Sequence, residues 1–214
     1  MMYPESITKQ EISTFPLLKF DGEIEVIDQV KDIKRAVSYL SKFEKLGFDT
    51  EKKPAFRKGV YNYTSLVQLS TTDKAFLFRI KQTGFHPALV DLLSSKRVSK
   101  IGISLRDDII DLQNIESFEP GGIVDLNKVA QDLGFKNSGV RNLTGIILNK
   151  RVSKNQQTSN WENEELTPGQ MQYASLDAWV CLEIYNELER KGYIYENNGQ
   201  VSKSITKKMN STKN

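Results

Sequence analysis

The chain has 214 residues, of which 38% are hydrophobic and 27% charged, and its formal net charge is +3. This length suits one domain with short extensions, and this composition excludes wholesale disorder. Because residues 195–214 hold four lysines against one glutamate, the rest of the chain is nearly neutral, so charge alone does not indicate a nucleic-acid partner.

Hydropathy and cysteine content indicate where the protein works. No apolar run approaches the roughly 18 residues needed to cross a bilayer, and the first twenty residues lack the apolar core of a secretory signal. The single cysteine, Cys181, lies in an apolar helical pattern, which favours a buried thiol and argues against a disulfide-linked partner. These features predict a cytoplasmic protein without a membrane partner.

The predicted elements follow a lead-in segment at residues 1–21 and lie within a domain at residues 22–194. Alternating or continuous apolar runs predict strands at residues 23–27, 46–51, 65–70, 74–80, 97–103 and 121–124. Helical spacing of apolar residues predicts helices at residues 30–40, 87–94, 105–113, 126–133, 139–149 and 168–191. The fold class is therefore α/β, with a mixed β-sheet flanked by helices. Residues 195–214 form a basic polar tail that is expected to be mobile.

The last helix has the strongest local signals. Thr167-Pro168-Gly169-Gln170 combines an N-cap, a proline at the first helical position and a capping-box glutamine. Gly192 follows the last apolar position of the pattern and suits a C-cap.

Two carboxylates lie at the end of the predicted strand at residues 46–51. Side chains at i and i+2 share a strand face, so Asp49 and Glu51 point to one side and Phe48 and Thr50 to the other. Two carboxylates this close repel each other unless a cation lies between them. Such a pair also occurs on solvated sheet edges, so by itself it does not establish a metal site.

Two further segments place acids near element ends. Asp107 and Asp108 follow an apolar strand in the first turn of a helix, where a favourable charge–dipole interaction is the simplest explanation. In the last helix, the i, i+4 spacing places Tyr173 and Asp177 on one face. Neither pattern is specific alone.

Together, and in this order, the three segments resemble the motifs of the DEDD superfamily in its tyrosine-bearing branch, the DEDDy 3′–5′ exonucleases. Ribonuclease D-like and Werner-syndrome exonuclease-like proteins belong to this branch, and the resemblance covers residues 22–192. The sibling branch has a histidine five residues before the last aspartate, where this chain has Gln172. The only histidine, His86, is expected to be structural or exposed. The resemblance implies a ribonuclease H-like fold.

The resemblance also implies a two-metal site and an activity. Asp49, Glu51, Asp108 and Asp177 would hold two Mg²⁺ or Mn²⁺ ions, and Tyr173 would orient the attacking water. Hard divalent ions prefer carboxylate oxygens and suit phosphodiester hydrolysis. The implied reaction releases nucleoside monophosphates from the single-stranded 3′ end of DNA or RNA. Asp107 competes with Asp108 for the second motif, and the register from the preceding strand favours Asp108.

Three residues are candidates for substrate contacts. Phe56 and Arg57 lie in a basic loop after the first motif, where an aromatic ring can stack on a base and a cation can meet phosphate. Ile110, two residues after Asp108, is a candidate wedge against the terminal nucleotide. A solvated loop and a core isoleucine are the alternative interpretations. A second basic cluster, Lys150, Arg151 and Lys154, is typical of a solvated face.

Two other functions remain open at this stage. A nucleic-acid-binding module that is catalytically weak or inactive would keep the fold and replace one or more of the acids, but all five motif residues are present. An unrelated α/β protein with coincidental acids is the second alternative. The sequence contains no phosphate-binding glycine loop, dinucleotide fingerprint or Cys/His cluster that would favour a particular version of it.

Overall fold

The computed structural model describes residues 3–55, 57 and 59–195. Six strands form one mixed sheet in the order β1-β4-β3-β2-β5-β6. They are β1 (Glu23–Ile27), β2 (Lys45–Lys52), β3 (Thr64–Ser70), β4 (Lys74–Phe78), β5 (Ser99–Gly102) and β6 (Ile123–Asp125). The helices are α1 (Lys9–Thr14), α2 (Val30–Leu40), α3 (Ile80–Thr83), α4 (Pro87–Ser94), α5 (Leu105–Gln113), α6 (Leu126–Asp132), α7 (Val140–Leu143) and α8 (Pro168–Arg190). The predicted α/β class, a mixed sheet flanked by helices, is confirmed.

The sheet combines an antiparallel centre with parallel additions. Strands β2, β3 and β4 pair antiparallel, and the predicted hairpin between β3 and β4 turns at residues 71–73. Strand β1 adds parallel to β4, while β5 and β6 add parallel on the other side of β2. Parallel strands align their carboxyl ends, so the ends of β2 and β5 lie at one edge of the sheet.

Apolar side chains on the two faces of the sheet form separate cores. On one face, Phe48, Phe76 and Leu69 pack with the apolar residues of α2, α4 and α5. On the other face, Ile101 and Val124 pack with residues of α6, α7 and α8. Helix α8 contacts β2, β3, β4 and β5, so its side chains cover the middle of the sheet.

Capping groups confirm two sequence expectations. Thr167 and Gln170 form the predicted capping box at the start of α8, and Gly192 follows the helix with a φ of +71°. At α4, the imidazole Nδ1 of His86 accepts a hydrogen bond from the amide of Ala88 at 3.1 Å. His86 is therefore a structural cap, as predicted.

The structure differs from the predicted elements in three places. Helices α1 and α3 were not predicted, because each has six residues or fewer and shows no periodic pattern. The predicted helix at residues 139–149 is α7 followed by a π-helical turn at Thr144–Leu148. Gly145 in this turn lies against Ile12 of α1, so the lead-in segment packs on the domain. The predicted domain limits stay a prediction.

Other sequence expectations concern the ends and the surface of the chain. From residue 196 onward, the predicted tail lies outside the described residues. Within the described part of the chain, no helix has the length and apolarity needed to span a membrane. Cys181 is 3% exposed, which confirms the predicted buried thiol.

Candidate active site and metal centre

Strand β2 presents the first two predicted acids on the face covered by α8. Its alternation places Leu46 and Phe48, both fully buried, in the core of the opposite face. Asp49 and Glu51 therefore point toward α8, directly opposite Gln68 and Leu66 of β3. Both carboxylates are partly buried, which removes much of the water that would otherwise solvate their charge.

Helix α8 brings the third acid and the phenol to the same place. Asp177 is 8% exposed and lies one helical turn after Tyr173, whose hydroxyl donates a hydrogen bond to the Asp177 carboxylate. The helix approaches β2 closely because Gly47 has no side chain: a Cβ atom there would collide with the carbonyl oxygen of Ala178. This close packing places Asp177 beside the acids of β2.

Three carboxylates meet between β2 and α8. One ligand oxygen from each of Asp49, Glu51 and Asp177 lies within 4.8 Å of the others. Among the described residues, none of these three acids forms a salt bridge. Closely spaced, unpaired carboxylates of this kind fit the all-oxygen ligand preference of a hard divalent cation.

Burial and mutual repulsion raise the pKa values of these acids. Burial raises the pKa of Asp49 well above its usual range, and the charges of Asp177, Glu51 and Asp108 raise it further. Burial, with Asp177 and Asp108, raises the pKa of Glu51 to about 9. Burial also raises the pKa of Asp177 to about 7, although the hydrogen bond from Tyr173 and the charge of Lys154 oppose this shift. A divalent cation would relieve the repulsion that these shifts report.

Asp108 lies next to this cluster but outside the group of three. It begins the first turn of α5, and its carboxylate accepts a hydrogen bond from the Thr50 hydroxyl on the opposite face of β2. The negative charge of Asp108 raises the pKa values of Asp49 and Glu51. Burial raises the pKa of Asp108 itself. The neighbouring Asp107 is exposed, so the structure places Asp108 rather than Asp107 beside the acids.

The turn between β5 and α5 positions Asp108. Ser104 has a φ of +62° in the left-handed region, which carries strain for a residue with a side chain. The Asp125 carboxylate stabilises this turn, because it accepts hydrogen bonds from the amides of Ser104 and Leu105 at 3.1 and 3.0 Å. It also caps α6 through the amide of Asn127.

A cleft of about 240 Å³ opens at the acids. The side chains of Asp49, Glu51, Tyr173 and Asp177 line it together with neighbours that the sequence analysis did not assign to the site: Thr50, Ile103, Val140, Gln157 and Cys181. Lys154 was interpreted as part of a solvated face, yet its charge acts on Asp177. Neither Gln157 nor Lys154 belongs to an acidic motif, so the spacing of the acids could not predict that these two residues lie near the site.

Two of the three predicted substrate-contact residues, Arg57 and Ile110, do not line this cleft. Phe56 lies outside the described residues. Arg57 is exposed in the loop between β2 and β3 and does not line the cleft. Ile110 is 42% exposed on α5, so the alternative interpretation of a core isoleucine is wrong. Its predicted contact with the terminal nucleotide stays a prediction.

Comparison with known proteins places the chain among nucleases. A family model described as 3′–5′ exonuclease matches residues 24–192. The mouse bifunctional 3′–5′ exonuclease/ATP-dependent helicase WRN is 30% identical over 188 residues, which cover 83% of this chain and 13% of the mouse protein. The mut-7 exonuclease homologue of Aedes aegypti is 27% identical over 196 residues, 80% of this chain and 27% of that protein. This chain thus spans a minor part of both relatives.

Solved structures agree with the sequence matches. The Aedes aegypti Nibbler EXO domain superposes with a TM-score of 0.72 at 26% identity, covering 79% of this chain and 88% of that chain. The Trypanosoma brucei RNase D complex with RNA U12 gives a TM-score of 0.73 at 19% identity, over 90% of this chain and 70% of the other. The predicted ribonuclease H-like fold of ribonuclease D-like exonuclease domains is confirmed.

The family model spans the whole sheet and ends after α8, so it includes β2, α5 and α8, the three elements that carry the acids. The chain therefore belongs to the 3′–5′ exonuclease family.

Proposed function

We propose that this chain is a metal-dependent exonuclease that removes nucleoside monophosphates one at a time from the 3′ end of single-stranded DNA or RNA. The convergence of Asp49, Glu51 and Asp177 within 4.8 Å, with no described salt-bridge partner, carries this proposal. Family membership over residues 24–192 supports the reaction type and its polarity.

Two Mg²⁺ or Mn²⁺ ions would be held by the four acids. Asp49, Glu51 and Asp177 would hold one ion, and Asp49 with Asp108 would hold the other. When bound, such ions supply an activated water and stabilise the charge on the leaving oxygen. All four ligands are carboxylates, the group that both cations prefer.

The protein's own groups then orient the reactants. Burial and the nearby carboxylates raise the pKa of Tyr173, so its phenol keeps its proton at neutral pH. Tyr173 therefore serves as a hydrogen-bonding group that positions the attacking water, and it does not serve as the base. Lys154, whose charge reaches Asp177, can attract the phosphate of the bound strand.

Single-stranded DNA and RNA labelled at the 5′ end test the polarity and the metal requirement together. With Mg²⁺ or Mn²⁺ we expect a ladder of labelled products that shorten one nucleotide at a time, and no products with chelator. Asp49→Asn should lower the rate by about 10²-fold or more, because it removes the proposed shared ligand. Asp107→Asn, an exposed acid beside the site, is the matched control and should keep the rate.

Two results would refute the proposal. One is a labelled mononucleotide as the first product, which would show degradation from the 5′ end. The other is full activity of Asp49→Asn, which would place the chemistry elsewhere. Binding of the strand without cleavage under any metal condition would support the inactive binding module instead.

A further inference from the structure

A second, larger cleft lies apart from the acid-lined cleft. Its volume is about 560 Å³, and it shares no lining residue with the acid-lined cleft. Its walls come from the loop between β2 and β3, from α3 and the loop after it, and from the residues that follow α5. They include Tyr61, Tyr63, Ile80, Phe85, Asn114 and Ile115. We call it the tyrosine cleft.

Two tyrosine rings are exposed at this cleft. Tyr61 and Tyr63 are 51% and 57% exposed, although large aromatic side chains are usually covered in a folded domain. Their ring centroids are 5.2 Å apart at an interplanar angle of 87°, so the rings meet edge to face. Lys52 Nζ also lies over the Tyr61 ring, 5.7 Å from its centroid, and the exposed surface that remains on the two rings can meet a planar ligand such as a nucleobase.

A hydrogen-bond network holds Tyr61 in place. Its hydroxyl donates to the Asp111 carboxylate at 2.5 Å, and the other oxygen of this carboxylate accepts from Lys52 Nζ at 2.5 Å. The Asn114 side-chain amide also donates to the Tyr61 hydroxyl at 3.4 Å. Asp111 is 8% exposed, so its carboxylate is itself held in the protein. The hydrogen bond to Asp111 therefore fixes the Tyr61 ring before any ligand binds.

Helix α5 connects the tyrosine cleft to the acidic cluster. Asp108 stands at the cluster, Asp111 holds Tyr61 one turn later, and Asn114 and Ile115 line the cleft after a further turn. At a rise of 1.5 Å per residue, Asp108 and the C-cap residue Asn114 are about 9 Å apart along the helix. This span corresponds to roughly three nucleotides at a stacked rise of 3.4 Å.

The surroundings of the cleft carry surplus positive charge. Lys52 pairs with Asp111, while Lys53 and Lys81 both pair with Glu162. Three ammonium groups thus face two carboxylates. The excess of ammonium groups would attract a phosphodiester backbone that passes the cleft. A basic partner or a neutral apolar partner would gain less from the combination of cations and exposed rings.

We propose that the tyrosine cleft is a base-stacking subsite for the nucleotides two to four positions before the 3′ end of a single strand. This inference rests on the proposed exonuclease function and extends it to the upstream part of the substrate. Stacking on Tyr61 and Tyr63 holds the strand while its last nucleotide lies at the acids. Because every base has a π-face, the subsite tolerates different sequences.

Kinetics on a series of oligonucleotide lengths test the subsite. For the wild type, KM falls as the substrate lengthens from two to about six nucleotides. The double variant Tyr61→Ala with Tyr63→Ala raises KM for the longer substrates by roughly tenfold or more, the effect of losing stacked bases. A dinucleotide is too short to reach the cleft, and it serves as the control substrate for both proteins. Tyr195→Ala removes a ring that is 47% exposed outside the cleft, and this control keeps the wild-type length dependence.

Photocrosslinking gives a second readout that does not need catalysis. A strand with 5-iodouridine at each position in turn is bound to the Asp49→Asn chain, and crosslinked peptides are mapped by mass spectrometry. The nucleotides two to four positions before the 3′-terminal one should crosslink to Tyr61 or Tyr63. The variant Tyr61→Phe keeps the ring but loses the hydrogen bond to Asp111, and it should still crosslink. Because this variant retains the stacking ring, the test does not depend on whether the double alanine variant folds correctly.

The inference is overturned if the double variant keeps the wild-type length dependence, or if upstream positions crosslink only elsewhere. Either outcome with an active wild-type enzyme leaves the proposed function intact and assigns the cleft to another class of ligand, such as a peptide. An inactive wild-type chain that still crosslinks at Tyr61 or Tyr63 would refute the proposed function and retain the subsite.

Discussion

Burial raises the pKa of the Tyr173 hydroxyl, and the neighbouring acids that would bind metal raise it further. A phenol in this state is a poor base and a good orienting group. Tyr173 lies one turn before Asp177, so a single helix would supply both the proposed metal ligand and the group proposed to position water. At the scale of single residues, Tyr173 would therefore orient the attacking water, while Asp177 would bind the metal.

We expect Tyr173→Phe to lower kcat by roughly 10²- to 10³-fold, the usual effect of losing one positioned hydrogen-bonding group. The ring stays in place against Trp161, so the fold and the affinity for Mn²⁺ should remain near those of the wild type. Single-turnover kinetics and calorimetric Mn²⁺ titration measure the two effects separately. Tyr195→Phe is the matched control, and an undiminished kcat for Tyr173→Phe would refute the orienting role.

The acids were predictable from sequence because each follows a local rule. Asp49 and Glu51 share a face by strand alternation, and Tyr173 and Asp177 by helical spacing. Choosing Asp108 over Asp107 needed only the register from β5. Gln157 and Lys154 were not assigned to the site because they lie in the long loop before α8, where no periodicity tells which side chains turn toward the acids.

At the scale of elements, Gly47 controls how closely α8 approaches β2. An added Cβ atom would collide with the Ala178 carbonyl oxygen in the helix and with the Ser70 hydroxyl on β3. Backbone atoms cannot move aside as the end of a flexible side chain can. Any substitution at Gly47 must therefore shift the helix that carries Tyr173 and Asp177.

We predict that Gly47→Ala destabilises the fold by about 1–3 kcal/mol, the usual range for overpacking a core, and lowers kcat by displacing Asp177 from Asp49. Chemical denaturation and the exonuclease assay measure the two effects. Gly169→Ala is the matched control within α8, where the atom nearest to an added Cβ, at 3.2 Å, belongs to the flexible end of Gln156. Wild-type stability and activity of Gly47→Ala would contradict the proposed close contact.

The long elements were more predictable than the short ones. Helix α8 has a capping box, a proline at its first position and a glycine after its end, so its limits were correct within a residue. Helix α5 was predicted at its observed limits, Leu105–Gln113. The π-helical turn at Thr144–Leu148 was read as ordinary helix, because apolar spacing over five residues does not distinguish the two hydrogen-bond patterns.

At the scale of the whole molecule, we expect the acidic cluster to make stability depend on pH and on metal. Burial, Asp177 and Asp108 raise the pKa of Glu51 from 4.5 to about 9 in the folded chain. Below pH 4.5 this carboxyl is protonated in both states. Between pH 4.5 and 9 the unfolded chain loses a proton that the folded chain retains, so the free energy of unfolding falls as the pH rises.

In chelator, we therefore expect the unfolding midpoint to fall between pH 5 and pH 9. Mg²⁺ should reduce this fall, because it binds the ionised cluster in the folded state only, and the gap between the two curves should widen with pH. Thermal unfolding at pH 5, 7 and 9 measures this difference. In Glu51→Gln the fall in chelator should be smaller, and a wild-type slope for this variant would contradict the assignment of the pH dependence to Glu51.

The most direct measurement is the anomalous diffraction of Mn²⁺ in crystals of the full chain grown with a nucleoside monophosphate. We expect one anomalous peak within bonding distance of Asp49, Glu51 and Asp177, and a second peak beside Asp49 on the side of Asp108. The absence of a peak among these carboxylates, or the Lys154 ammonium in their midst, would contradict the metal-dependent exonuclease.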